Sequence, residues 1–495
     1  MLSQFKAGAL LSYSGLALNI LIGLIYTPWV IHSIGTDDYG LYTLSLSIIS
    51  LFVFDFGLST ATTRYLSKYI GEGRQQDANN CLGIIYRLYF KIDIIIFIIL
   101  ATVFFFIPEI YEKLTSEELF KFKIIYIIAA SFSFLSFPFI PLNGILTANE
   151  KFIQLKSCDI INKLLTVCLM SFCLLSGYGL YALVGVNAIS GIITIIAKLY
   201  FIKRDTKTRA NLKYKSVSEQ REIFGFSGWV TVSSICQRFI FNIAPSILGV
   251  MSGAKSIAIL GVAITIEGYA YTFANALSGM FLPKVSKLLS NNENLLPLMI
   301  QVGRFQLIII SAFIIGFIFL GYDFIILWVG HDFKLTYICA ILLLIPSIFQ
   351  LPQEVASTAL IATNKVKQQA IAYISMAVVN ISLAFILAKY FGAIGVAFSI
   401  FCAYLIRTLI LNIIYHNELK VDLKTFFKEC YIKIIPSILV TFLLTFLVCQ
   451  IPLNGWIGLI SKGVFFIIVF IVSIWLLALR DNEKKLVLSF LPSIR

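Results

Sequence analysis

Arg87 and Lys91 stand four residues apart inside a long apolar run, and Arg238, Glu267 and Arg407 each sit near the middle of another. Glu354 lies towards one end of its run, and Asp55 and Arg64 flank the end of theirs. Fixed cations such as Arg87, Lys91, Arg238 and Arg407 are suited to hold a phosphate or an acidic sugar, and a guanidinium does so through two parallel N–H bonds. Glu267 is the matching group for charge balance or proton acceptance, with Asp55 and Glu354 as further candidates for coupling or balance. Tyr269, Tyr271 and Tyr404 offer faces on which a sugar ring can stack, although most of the 43 Phe and 23 Tyr must serve packing or face lipid. No nucleophile with an adjacent base is visible. The nine cysteines lack metal-type spacing and read as small hydrophobes, and the three histidines stand alone, so no metal or cofactor is expected.

Hydrophobic residues make up 59% of the 495 and charged residues 13%. So few charges cannot cover the surface of a soluble protein of this length, so the bilayer must be the solvent for most of it. The net charge of +14 would suggest nucleic acid in a soluble protein; here a bias of Lys and Arg to one membrane face accounts for it, and no nucleic-acid partner is expected. Crossing the hydrocarbon core takes about 20 apolar residues. The expected fold is all-α and integral to the membrane, with about fourteen spans: 7–31, 41–63, 81–107, 122–146, 158–177, 181–202, 223–250, 257–280, 303–320, 337–361, 369–388, 394–415, 431–451 and 457–479. The first is too long for a signal-peptide core and reads as an uncleaved span. Lys91 falls about 15 Å along its span, near the midplane, and the four-residue spacing puts it on one face with Arg87. Asp93 points elsewhere and reads as a packing or ion-pair partner. Arg64, Lys163 and Arg304 lie near span ends and read as cations reaching back to the interface.

Lys and Arg concentrate in the segments that share a side with the N-terminus, so both termini are expected in the cytoplasm. The longest basic loop, Lys203 to Glu222, reads as a linker between two halves. Three local similarities recur six spans downstream: GTDDYGLY from Gly35 with GAKSIAIL from Gly253, TANEK from Thr147 with ATNKV from Ala362, and GLYA from Gly179 with GAIG from Gly392. A duplicated six-span unit follows, and an even number makes the copies parallel repeats. The expected organisation is an N-lobe over 1–222, a C-lobe over 223–430, and two further spans with a cytoplasmic tail over 431–495. Two lobes facing across a cleft suit alternating access.

GTDDYGLY from Gly35, followed by DFGLSTATTRY from Asp55, resembles the start of the polysaccharide-transporter family. That family belongs to the multidrug/oligosaccharidyl-lipid/polysaccharide exporter superfamily and includes the Wzx flippases of O-antigen repeat units. ANEKF from Ala148 and LWVG from Leu327 also fit, and with the plan of six, six and two spans the resemblance covers the whole chain. It implies a flippase that carries an undecaprenyl-pyrophosphate-linked oligosaccharide from the cytoplasmic to the periplasmic leaflet of a bacterial inner membrane. H+ or Na+ is the expected coupling ion. Partners would be that glycan substrate, membrane lipids, and the polymerase and glycosyltransferases of the same pathway.

Rival readings are a lipid-linked peptidoglycan precursor flippase and a cation-coupled drug antiporter of the same superfamily. The antiporter would need a cavity dominated by acids and aromatics, whereas central cations outnumber central acids here. A membrane polymerase or ligase would carry a sizeable periplasmic loop, and the longest such segments, Pro108–Lys121 and Gly321–Thr336, are short. The chain therefore reads as a transporter and not an enzyme.

Overall fold

The computed structural model describes residues 20, 22–52, 58–275, 293–363 and 365–484, and every regular element among them is helical. Helices are the form that satisfies each backbone N–H and C=O within one segment, which lipid demands. Among the described residues, ten helices are long and apolar enough to cross a membrane, eleven if the bent pair Thr231–Asn242 and Ala244–Met251 is one span. Their outward faces carry side chains that only lipid would solvate, among them Phe97 at 51% exposed, Leu476 at 68% and Ile457 at 83%. The protein is a multi-pass membrane protein.

The chain divides into two compact units, Met1–Gly261 with Ala384–Val396, and Val262–Leu383 with Ala397–Arg495. The first contains α1 (Ile22–Ile34), α2 (Thr36–Phe52), α3 (Leu58–Gly71), α4 (Gln75–Phe105), α5 (Ser116–Ser136) and α6 (Pro141–Ala148). It continues with α7 (Phe152–Leu175), α8 (Leu180–Asp205), α9 (Val217–Asn242), α10 (Ala244–Met251) and the first turns of α11 (Ala254–Asn275). The expected span 122–146 is α5 and α6 joined through a 3-10 turn at Phe137–Phe139, because Pro138 and Pro141 cannot donate to an α-helical ladder. Thr115 and Glu118 start α5 by capping each other's backbone N–H.

Two repeat-related turns have the same shape. Gly35 precedes α2 at φ 86° and Gly253 precedes α11 at φ 83°, a left-handed conformation that glycine adopts freely. The two helices then approach backbone to backbone. A Cβ on Gly40 would lie 2.2 Å from the Ala254 carbonyl oxygen, and one on Gly261 would lie 2.9 Å from Thr43 Cγ2. Asp38, in the same motif, pairs with Lys121 of α5 at 3.1 Å.

The Lys203–Glu222 loop is an ordered strap on α4 rather than a free linker. Asn211 N–H donates to the Asn79 carbonyl at 2.9 Å, Arg209 N–H to Asn79 Oδ1 at 2.8 Å, and Asn211 Nδ2 to Asn80 Oδ1 at 2.8 Å. Gly83 makes room for it, since a Cβ there would stand 2.0 Å from the Asn211 carbonyl oxygen.

The second unit contains α12 (Leu296–Val329), α13 (Thr336–Leu344), α14 (Glu354–Ala362), most of α15 (Val366–Leu419), α16 (Ile435–Cys449) and α17 (Gly455–Ser473). Its core gathers Met299, Ile310, Leu351, Ala356, Leu360 and Phe426, each fully buried. The expected span 337–361 is broken at Pro346 and Pro352 into short helical pieces. The expected spans 369–388 and 394–415 run together as α15, broken at Gly392 (φ 53°, ψ −130°), a conformation open to glycine.

Arg304 corrects the sequence reading. Rather than reaching to the interface, it is 0% exposed and holds Glu483 through Nε at 2.7 Å and Nη2 at 3.0 Å. It also donates to the carbonyls of Ala478 at 2.6 Å and Glu429 at 3.0 Å. Its counterion lies far along the chain in a segment that composition alone assigns to solvent.

Candidate functional site

The central charges of the second unit meet in a polar cluster built by α11, the broken stretch before α14, α14 itself and α15. Arg407 on α15 is 5% exposed, and its guanidinium carbon lies 5.1 Å from the ring centre of Tyr373 and 5.4 Å from that of Tyr404. Such cation–π contacts contribute about 2 kcal/mol when desolvated. Tyr404 is three residues before Arg407 on one helix face, and Tyr373 comes from the other limb of α15. Glu354 and Tyr415 lie within electrostatic range of Arg407. Among the described residues no carboxylate comes within salt-bridge distance of the guanidinium, and its Nε has no hydrogen-bond partner.

Glu267 on α11 is buried at 8% exposure, one turn before Tyr271, and both are electrostatic neighbours of Tyr404. Gln350 Nε2 donates to Tyr271 Oη at 3.3 Å. Gln369 Nε2 donates to Ser357 Oγ at 2.8 Å, and Ser357 lies near Tyr415. Chemically this is one guanidinium with unfilled donor capacity, two carboxylates that can take up a proton or a small cation, and four phenol rings that can meet a sugar face. It holds one cation and two acids, the reverse of the cation excess read along the whole sequence.

Arg87 and Lys91 belong to the first unit. Arg87 donates through Nη2 to the Tyr214 carbonyl and through Nε to the Gly83 carbonyl at 3.4 Å, so it grips the strap. Lys91, one turn further along α4, is exposed. Asp93 is 1% exposed, and its Oδ1 has no hydrogen-bond partner among the described residues. Arg238 belongs to α9, but its side chain is outside the described residues, and Asp55 is outside them altogether. The sequence reading named Arg407, Glu267, Glu354, Tyr271 and Tyr404. It missed Gln350, Tyr373 and Tyr415, because nothing in a single sequence shows which of many tyrosines folds back onto a given arginine.

The family model described as polysaccharide biosynthesis protein matches residues 5–289. The chain belongs to that family. No curated protein matches it in sequence. Among solved structures it is similar to the lipid II flippase MurJ in an inward closed conformation, at 18% identity and TM-score 0.70, over 98% of this chain and 100% of that one. It is also similar to an inward-facing multidrug resistance MATE transporter of the MOP superfamily, at 15% identity and TM-score 0.64, over 76% of this chain and 91% of that one. A MOP superfamily transporter from Pyrococcus furiosus, described for the reverse polarity of its binding pocket, aligns at 15% identity and TM-score 0.55, over 82% and 93% of the two chains. These likenesses establish the fold as that of the MOP transporters. The family's matched region takes in the glycine turns at Gly35 and Gly253, both helices that follow them, and Glu267.

Proposed function

We propose that this polysaccharide biosynthesis protein is a flippase for a lipid-pyrophosphate-linked oligosaccharide. The cargo would be an undecaprenyl-linked O-antigen or related repeat unit, moved by alternating access from the cytoplasmic to the periplasmic leaflet of the inner membrane. The observation that carries this reading is Arg407. A buried guanidinium without a salt-bridge partner among the described residues is costly, and an anionic head group would fill its free donor capacity while the surrounding rings meet sugars. Lys91 and Arg238 are the further cations we assign to the cargo. The bonds of Arg87 favour a strap anchor. Glu267 and Glu354, with Asp55, are the groups through which H+ or Na+ binding would change the charge felt by Arg407.

We also read the chain as crossing fourteen times with both termini in the cytoplasm, so that pathway polymerases and glycosyltransferases meet it on either side. The test is transport in proteoliposomes loaded with a lipid-linked oligosaccharide. Protected cargo should become accessible at the opposite leaflet, and Arg407→Ala should abolish this with the protein still inserted. Equal transport by that variant would reject the assignment. Full-length likeness to MurJ favours a second reading, a peptidoglycan precursor as cargo, and offering lipid II in the same assay separates the two.

A further inference from the structure

The Arg304 ion pair shares no residue with the polar cluster, although its neighbour Gly303 packs against Pro352 in the broken stretch before α14. Four chain segments converge on the pair. Arg304 is two turns into α12, Glu429 and Ala478 belong to two separate π-helical turns at Lys428–Ile432 and Ile474–Ala478, and Glu483 lies beyond the second of these. Both carbonyls that Arg304 binds therefore come from π turns, where the shifted ladder releases carbonyls from α-helical pairing. Arg480 closes the arrangement, with its Nη2 on Glu429 Oε2 at 2.6 Å and its N–H on Glu483 Oε2 at 2.9 Å. Lys433 also pairs with Glu429, at 2.7 Å. The whole assembly depends on a short segment after the last span.

Further along, α12 and α17 flank an apolar groove of about 720 Å³, lined by Phe313, Gly316, Leu320, Gly463, Phe466 and Phe470 among others. Its walls contain little that bonds across. Gly316 approaches Phe466, where a Cβ would lie 3.0 Å from the ring, and Gly463 faces Leu320 at 3.8 Å. Nonpolar contact in lipid gives little directional hold, since lipid tails are as apolar as the side chains they replace. Both walls end at the ion pair, about 10–12 Å beyond the groove at the helical rise.

We propose that residues 480–484 are a latch that sets the width of this groove. With Glu483 on Arg304, the end of α17 is fixed to the start of α12 and to the π turn before α16, and the groove holds one width. With Glu483 withdrawn, Arg304 loses its bidentate carboxylate and holds the end of α17 through the Ala478 carbonyl alone, a weaker tie that lets α17 tilt from α12. The chain's last described segment thereby controls the lipid-facing wall of the second unit.

Hydrogen exchange of the full chain in lipid nanodiscs tests this. Glu483→Gln should speed exchange on the order of tenfold in 455–478 and in 313–324, the loss expected for one charged hydrogen-bond pair, with α7 and α8 unchanged. Removing the chain after Leu479 should do the same. If Glu483→Gln fails to accumulate because it strands a buried charge, Arg304→Met combined with Glu483→Gln has none to strand and should show the same local rise. Unchanged exchange in both groove walls, or a rise spread evenly over both units, would overturn the latch.

Discussion

Two buried arginines of the second unit, Arg304 and Arg407, solve the same problem in opposite ways. Arg304 is 0% exposed and has a bidentate carboxylate and two carbonyls. Arg407 is 5% exposed and rests on two tyrosine rings, with Nε unpartnered among the described residues. The first has its carboxylate and uses four of its five N–H donors. The second keeps hydrogen-bonding capacity in reserve. The comparison teaches that burial alone does not distinguish a charge whose pairing is complete from one that keeps a donor free.

Four measurements press on that contrast, the largest effect first. Arg304→Ala leaves Glu483 buried without its partner, and the expected loss is about 3–5 kcal/mol, read as a lowered unfolding midpoint in detergent. A loss as small as that of a surface substitution would remove the contrast. Acid should reach the same pair more gently. Burial pushes the Glu483 carboxyl up, but its bonds from Arg304 and the Arg480 N–H bring it below the usual glutamate range. A lowered native-state value means that the stabilisation is complete above the ordinary glutamate range and is lost as pH falls through the lowered value. Stability of wild type, but not of Arg304→Met with Glu483→Gln, should therefore fall in that acid window.

Arg407→Ala should cost about 2 kcal/mol or less, the worth of its ring contacts, yet stop transport. Arg407→Lys should restore part of the transport because charge survives without the planar fork. Stability and activity falling together in proportion would make Arg407 a second Arg304. The smallest effect belongs to Tyr271→Phe, which removes the acceptor of Gln350 and should cost about 0.5–1.5 kcal/mol. It sharpens the comparison if transport falls by more than stability does.

What the sequence made legible was position along the chain. Depth within apolar runs singled out Glu267 and Arg407, and the similarity of GTDDYGLY to GAKSIAIL has a counterpart in Gly35 and Gly253, which turn with nearly equal φ. Partners were not legible. Arg304 and Glu483 are 179 residues apart, and no periodicity links a cation in one helix to an acid in a polar tail. Arg87 and Tyr214 are 127 apart, and no spacing in the sequence shows that this arginine bonds to the strap. The breaks at Pro138, Pro346 and Pro352 were visible as residues, and the apolar runs continue through them, so that each interrupted stretch still counts as one span. Gly392 stands between two expected spans, and the backbone does leave the helical region there.

The strap has a mechanical consequence. A free linker absorbs the movement of whatever it joins, because its unpinned residues have slack to give. The segment between α8 and α9 is fastened at Arg209, Asn211 and Tyr214 to Asn79, Asn80 and Arg87, all on α4. One or two residues between successive pins leave nothing to pay out. A pull on the start of α9 is therefore delivered to α4, the helix that carries Lys91, instead of being dissipated in the loop. Lengthening the chain between Asn211 and Tyr214 would restore the slack and disconnect the two.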